Sequence, residues 1–308
     1  MASNIVQLLD EKIKIENWLN NVLYGSIETR VRKSKKYIYV HYRDGKKIVT
    51  KYAGEYSARL INIIAENTLL AKENKKRLKK IIKQLKELNY TEKNLSSSIK
   101  ESVKFINNSL TAIIQNQLRF DDLEVAYDDI KLLIEEGVIN NLSIEVANKI
   151  NNLKNAWNFV LNKDVLNAGL SYSLLSQINS LIDAGFSYNA GRLRRTPYQI
   201  ENSTYIPSIP FENVINDNFK DIIKSKDATL DKALNIFIYL SRNIVFTNSN
   251  LQTNLIFVNY YLIKNGLGFI NIDYNFKDEL NKCLLELYEW NDSYSLKEFI
   301  KNKCYYAK

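Results

Sequence analysis

The chain has 308 residues, 45% of them hydrophobic and 25% charged, with a formal net charge of +9. That is enough apolar material for one or two cores, and no run reaches the roughly 20 apolar residues of a membrane-spanning helix. Two cysteines, Cys283 and Cys304, and one histidine, His41, are too few for a disulfide framework or a Cys/His zinc site, so no metal and no cofactor is expected. Asp10 and Glu11 stand where a signal peptide would carry its apolar run, and a cytoplasmic location is expected. The positive charge is segregated. Residues 1–90 hold 20 Lys/Arg against 9 Asp/Glu, whereas the remainder holds 23 against 25. A basic first third predicts an anionic partner for that segment.

In chain order, residues 4–23 place Ile5, Leu8, Leu9, Ile13, Ile15, Trp18, Leu19 and Val22 at helical spacing, ended by Gly25-Ser26. Residues 36–42 then alternate and are rich in aromatic and β-branched side chains. Arg43-Asp44-Gly45-Lys46 supplies an Asp-Gly turn and residues 47–52 return, which predicts a β-hairpin. Alternation puts Tyr37, Tyr39 and His41 on one face and Ile38, Val40 and Tyr42 on the other. Residues 56–88 read as one long helix, strongly basic between Lys72 and Lys86. The break at Asn89-Tyr90-Thr91 separates a basic helix–hairpin–helix module, residues 1–90, from a helical domain, residues 91–308. The three prolines, Pro197, Pro207 and Pro210, mark residues 196–210 as a loop or exposed hairpin set into that domain.

Within the helical part come Ala190-Gly191-Arg192-Leu193-Arg194, the proline-bracketed segment, a helix from Lys232 to Arg242 and the turn Ile244–Leu255. An apolar helix to Lys264 and Gly266-Leu267-Gly268 follow. In this order the blocks resemble the Fic/Fido family, which has an Ala-Gly-x-(Tyr/Leu)-Arg start, a flap, and the signature His-Pro-Phe-x-x-Gly-Asn-Gly-Arg-x-x-Arg. The resemblance implies a mainly α fold with a β-hairpin flap carrying Thr196, Tyr198, Ile200 and Tyr205. It also implies a nucleotide pocket at Phe246, Asn248, Ser249, Asn250, Leu251, Gln252, Leu255 and Arg194. Phe246 and Asn250 match the signature. Ile244 stands at the catalytic histidine, Ser249 and Leu251 at the two glycines, and Gln252 and Leu255 at the two arginines.

Each departure removes a different part of the chemistry. Isoleucine takes no proton from a hydroxyl. A leucine side chain blocks the approach of backbone N–H groups to phosphate. Neither Gln nor Leu supplies countercharge. Upstream, Thr111, Gln115 and Asn116 fit the family's inhibitory (Ser/Thr)-x-x-x-Glu-(Gly/Asn) motif with Gln115 at the glutamate. In the family that glutamate pairs with the signature arginine, so both halves of the ion pair, Gln115 and Gln252, are here neutral amides. The resemblance covers roughly residues 92–308.

The module at the N-terminus resembles a small bacterial domain found alone or fused to others, with a Gly-Ser start, a basic strand (Arg30, Arg32), a Tyr-x-Tyr strand, an Arg-Asp-Gly-Lys turn and a long basic helix. Relatives carry cysteines in the basic strand, absent here. Interleaved tyrosines and basic residues suit nucleic acid, since phosphates attract Lys/Arg while exposed rings stack on bases. The expected contacts are Arg30, Arg32, Lys33, Lys35, Lys36, Tyr37, Tyr39, Arg43, Lys46 and Lys47 of the hairpin, and Lys75, Lys76, Arg77, Lys79 and Lys80 of the helix. The competing reading packs the tyrosines on the flanking helices and leaves the lysines merely solvated. Together these features imply a catalytically degenerate Fic-fold protein that binds a nucleic acid or nucleoprotein through residues 1–90, and a protein through the flap. The alternatives are a divergent nucleotidyl- or glycosyl-transferase using the remodelled pocket, and an inhibitor from a phage or mobile element.

Overall fold

The computed structural model describes residues 2–307, leaving aside the side chains of residues 2–4 and 44. It divides into two compact units, Gln7–Thr91 and the chain from Glu92 onward together with the residues up to Val6. The fold is mainly α with a small antiparallel sheet.

The first unit holds helix α1 (Ala2–Asn21) from Gln7 on, strands β1 (Ser26–Arg32), β2 (Lys35–Asp44) and β3 (Lys47–Glu55), and helix α2 (Ala58–Glu87). The strands form an antiparallel meander in the order β1-β2-β3. The alternating pattern gave only two of them. β1, which the resemblance alone implied, joins β2 through Lys33-Ser34, whose φ values of 46° and 64° are those of a two-residue hairpin loop. Ile38 and Val40 are fully buried and pack on Ile64 of α2, with Leu23, Ile27, Ala53, Leu60 and Ile61 around them. α2 starts at Ser57, whose side chain accepts from Leu60 N. Gly25 lies so close to β2 that a Cβ there would meet His41 O at 2.2 Å. Its N–H donates to Thr68 Oγ1 at 2.9 Å, tying the sheet to α2.

The second unit is helical. α3 (Ser97–Arg119), α4 (Tyr127–Glu136), α5 (Ile144–Leu161), α6 (Lys163–Asn167) and α7 (Tyr172–Ile182) come first. Ser96, Ser143, Asn162 and Ser171 cap α3, α5, α6 and α7 by accepting a backbone N–H. After a long loop come α8 (Glu212–Lys224), α9 (Thr229–Asn243), α10 (Asn250–Lys264), strand β4 (Phe269–Ile270), a single 3₁₀ turn, α11 (Lys277–Trp290), α12 (Tyr294–Phe299) and strand β5 (Tyr305–Tyr306), which pairs with β4. α10 is the axis: every residue from Gln252 to Ile263 is buried. A helix buried on all sides belongs in the middle of a protein, and α3, α5, α6, α7 and α9 surround this one. Its Asn259 pins β4, donating to Ile270 O and accepting from Ile270 N, both at 2.7 Å.

The flap expected as a hairpin is a loop. Residues 196–210 form no strand ladder. The segment closes on itself through side chains, with Gln199 Nε2 donating to Ser203 O at 2.8 Å.

Candidate functional site

α9 ends at Ile244, whose φ of 43° is left-handed. A β-branched residue adopts that conformation only where its surroundings hold it. Here Ile244 packs with Ile200 and Tyr288, inside a shell of Tyr198, Tyr205, Leu284 and Leu285. Its carbonyl accepts from Arg194 Nε at 3.0 Å. Asn250, at the start of α10, brackets buried Phe246: its Oδ1 accepts from Phe246 N at 3.0 Å and its Nδ2 donates to Phe246 O at 2.9 Å. Asn250 is thereby committed to the turn. Ser249 also has a positive φ, 53°, so the backbone keeps a shape that glycine adopts freely. Its hydroxyl donates to Asp183 Oδ1 at 2.6 Å. Asn179 ties the parts together. It donates to Asn248 O at 3.1 Å and accepts from Gly191 N at 2.8 Å. Gly191 has a φ of 73°, and a Cβ there would meet Ser176 O at 2.7 Å, so only glycine fits.

Arg194 is not placed to bind a donor molecule. It is 1% exposed, and its guanidinium donates to Ile244 O, Thr196 O, Pro207 O, Ser208 O and Asn243 O. It staples both ends of the flap to the α9–α10 turn. Burial without a carboxylate partner lowers its pKa from the usual guanidinium range. The far side of the flap is held by Glu289, which accepts from Thr204 N and Thr204 Oγ1 at 2.7 Å and from the Ser203 hydroxyl. These bonds, Ser203 foremost, pull the Glu289 carboxyl down to about 2. Tyr205 stacks on Tyr288 with ring centroids 6.2 Å apart, and Arg242 lies 4.3 Å from the Tyr205 ring centre. Burial pushes the Tyr288 hydroxyl up to about 12.

Beside this turn opens a cavity of about 640 Å³, bordered by Ile244, Asn248, Ser249, Asn250, Leu251 and Gln252 and by Tyr198 of the flap. Phe246 and Leu255 are buried away from it. Gln115 and Gln252, at the two halves of the family's ion pair, bond to separate partners. Gln115 Nε2 donates to Val125 O at 2.8 Å, while Gln252 Nε2 donates to Asp121 Oδ1 at 2.6 Å. Thr111 is buried within α3 and Asn116 is half-buried. The cavity carries Asp121, Asp122, Glu145 and Asp183 against one cation, Lys149. Burial raises the carboxyls of Asp121 and Asp183, which also repel each other, and Lys149 partly offsets this. These acids escape sequence reasoning because they come from the ends of α3, α5 and α7, far apart in the chain and in no motif. Tyr288 and Glu289 escape it likewise.

In the first unit the outer face of the sheet carries Tyr37, Tyr39 and Tyr52. Tyr52 lies 6.2 Å and 5.5 Å from the rings of Tyr37 and Tyr39, and with Arg32 and Lys33 the three line a hollow of about 380 Å³. Tyr52 is not among the expected nucleic-acid contacts, although its register opposite Tyr39 places it there. Arg30 stacks 4.4 Å from the Tyr39 ring centre and is chelated by Glu28, whose carboxyl falls to about 2 beside Arg30 and His41. Lys35 pairs with Glu55, and Lys36 lies over Tyr56. Arg43, Lys46 and Lys47 sit exposed at the β2–β3 turn. α2 packs on the opposite face, so its cations are not part of the tyrosine surface. Lys75 covers the Tyr24 ring and Arg77 pairs with Glu11. Lys76, Lys79 and Lys80 are exposed, with no acidic partner among the described residues.

No family profile matches the sequence, and no curated protein matches it. Solved structures do. A Fic-1 fragment from C. elegans superposes with a TM-score of 0.52 at 14% identity, over 79% of this chain and 73% of its own. A variant of that fragment gives 0.55 at 15% over the same shares. A Fic-domain signalling protein from Bacteroides thetaiotaomicron gives 0.52 at 18%, over 66% of this chain and 80% of its own. The chain has the Fic/Fido fold. Among the described residues, no helix is long and apolar enough to cross a membrane.

Proposed function

We propose that this Fic-fold chain is catalytically silent and acts by binding, with the outer face of its N-terminal sheet holding single-stranded nucleic acid or a nucleoprotein. One observation carries the first half. Ile244 stands where the resemblance sets the catalytic histidine and packs against the flap, and the adjoining cavity that it borders is lined by four carboxylates and one cation. An isoleucine abstracts no proton, and like charges repel most strongly in such a walled site. The second half is supported by three tyrosines sharing one surface with Arg32 and Lys33, the arrangement of a stacking platform with an electrostatic rim.

Titration of the full chain with short single-stranded DNA and RNA at several salt concentrations tests this. Affinity is expected to fall with salt by about −0.7 in log–log slope per phosphate contact. Tyr52→Ala is expected to cost about 1–3 kcal/mol without changing the slope, and Arg32→Ala to flatten it. Absence of binding at low salt contradicts the proposal. A divergent transferase is the second reading, favoured by the raised carboxyls of Asp121 and Asp183 beside the cavity. Thermal stabilisation by a nucleotide sugar, growing with its concentration, supports that reading instead.

A further inference from the structure

The cavity beside the α9–α10 turn carries four carboxylates against one cation, and its acceptors are not all spent on the protein. Asp122 is neutralised by Lys277 at 2.8 Å, and Asp183 accepts from Ser249 and Asn179. Asp121 borders the cavity and accepts from Gln252 at Oδ1, and its second oxygen has no hydrogen-bond partner among the described residues. Asn254 is the independent sign. It is 2% exposed, borders the same cavity, and its Oδ1 is the one buried side-chain N or O without a hydrogen-bond partner among the described residues. A native fold seldom leaves such an oxygen unpaired, because its desolvation goes uncompensated. The only cation on the wall, Lys149, lies over the Phe186 ring, 5.6 Å from its centre.

We propose that this cavity binds a small organic cation with several N–H donors, of the guanidinium or polyamine class. Its head donates to Asp121 and to Asn254 Oδ1, and charge-assisted bonds of this kind are the strong ones. Its methylene stem lies against Ile244, Leu284, Phe186 and Tyr288, which give the wall its apolar part. A cavity of about 640 Å³ falls within the size range of small-molecule sites. Among the described residues no group of three or more His, Cys, Asp or Glu side chains is arranged to hold a metal ion, so the donor set calls for a ligand that brings its own hydrogens. Polyphosphate is repelled by the same carboxylates. The inference is independent of the nucleic-acid surface.

Calorimetric titration of the full chain tests it, with agmatine, spermidine and an arginine-bearing hexapeptide as cations and ATP as the anion. Agmatine or spermidine is expected to bind and ATP to give no heat. Asp121→Asn and Asn254→Leu are each expected to weaken the cation by about tenfold or more, the loss of one charge-assisted or buried hydrogen bond. Circular dichroism of both variants checks that the helices persist. Binding of the peptide alone, with the same dependence on the two variants, places the guanidinium on a partner's side chain and supports the same recognition chemistry. Failure of all three cations to bind overturns the proposal. So does binding unchanged in both variants, or ATP binding that Asn254→Leu abolishes.

Discussion

An isoleucine held at a φ of 43° is costly to keep, and its neighbours explain why Ile244 is kept. Its side chain completes the apolar cluster that seats the flap, and its carbonyl is one of the five that Arg194 satisfies. Ile244→His therefore removes packing and inserts a polar ring with no partner in that cluster. We expect a loss of about 2–3 kcal/mol, the scale of burying one aliphatic side chain, measured by urea denaturation, and no gain of nucleotide transfer. Glu289 gives the flap a pH dependence. Its folded value of about 2 lies below the ordinary 4.5, so its latch is fully present above about pH 4.5 and lost as pH falls through about 2. Glu289→Gln should melt below the parent at pH 7, and the two melting curves should converge near pH 2. Asp183 works the other way. Burial raises its carboxyl, so it protonates sooner in the folded chain and favours the fold as pH falls.

At the scale of elements, α10 was legible because its apolar run is long, and the α9–α10 turn because Phe246 and Asn250 keep their spacing. Asn250 shows why that spacing matters: its amide fits around the backbone of Phe246 four residues earlier. β1 was not legible from alternation. Its strand is short and polar, and Lys33-Ser34 carries none of the Asn or Gly that marks a two-residue loop. Ser34, at a φ of 64°, sits where an L-residue is strained. Ser34→Gly should raise stability by about 1 kcal/mol, read as an increase in melting temperature. The flap misled in the opposite direction. Its prolines allow a loop or a hairpin and the family resemblance implies a hairpin, yet Arg194 and Glu289 hold it from both sides and no ladder forms. The acids of the cavity were invisible, because residues 121, 145 and 183 meet only once α3, α5 and α7 are packed.

At the scale of the molecule, charge and chemistry are divided between the two units. The basic excess lies in residues 1–90, where Arg32 and Lys33 share a hollow with three tyrosines, and the Fic-fold unit carries a cavity lined by four carboxylates. The fold is shared with solved structures under 20% identical to this chain, and within it Arg194 holds the flap loop to the α9–α10 turn. The measurement that tests this account most directly is incubation of the purified chain with labelled ATP, GTP, CTP and UTP in the presence of cell lysate. No label above background on any protein, this chain included, is the result expected. Robust labelling that disappears on replacing Asn250 or Gln252 would contradict it, because the α9–α10 turn would then still be transferring nucleotide.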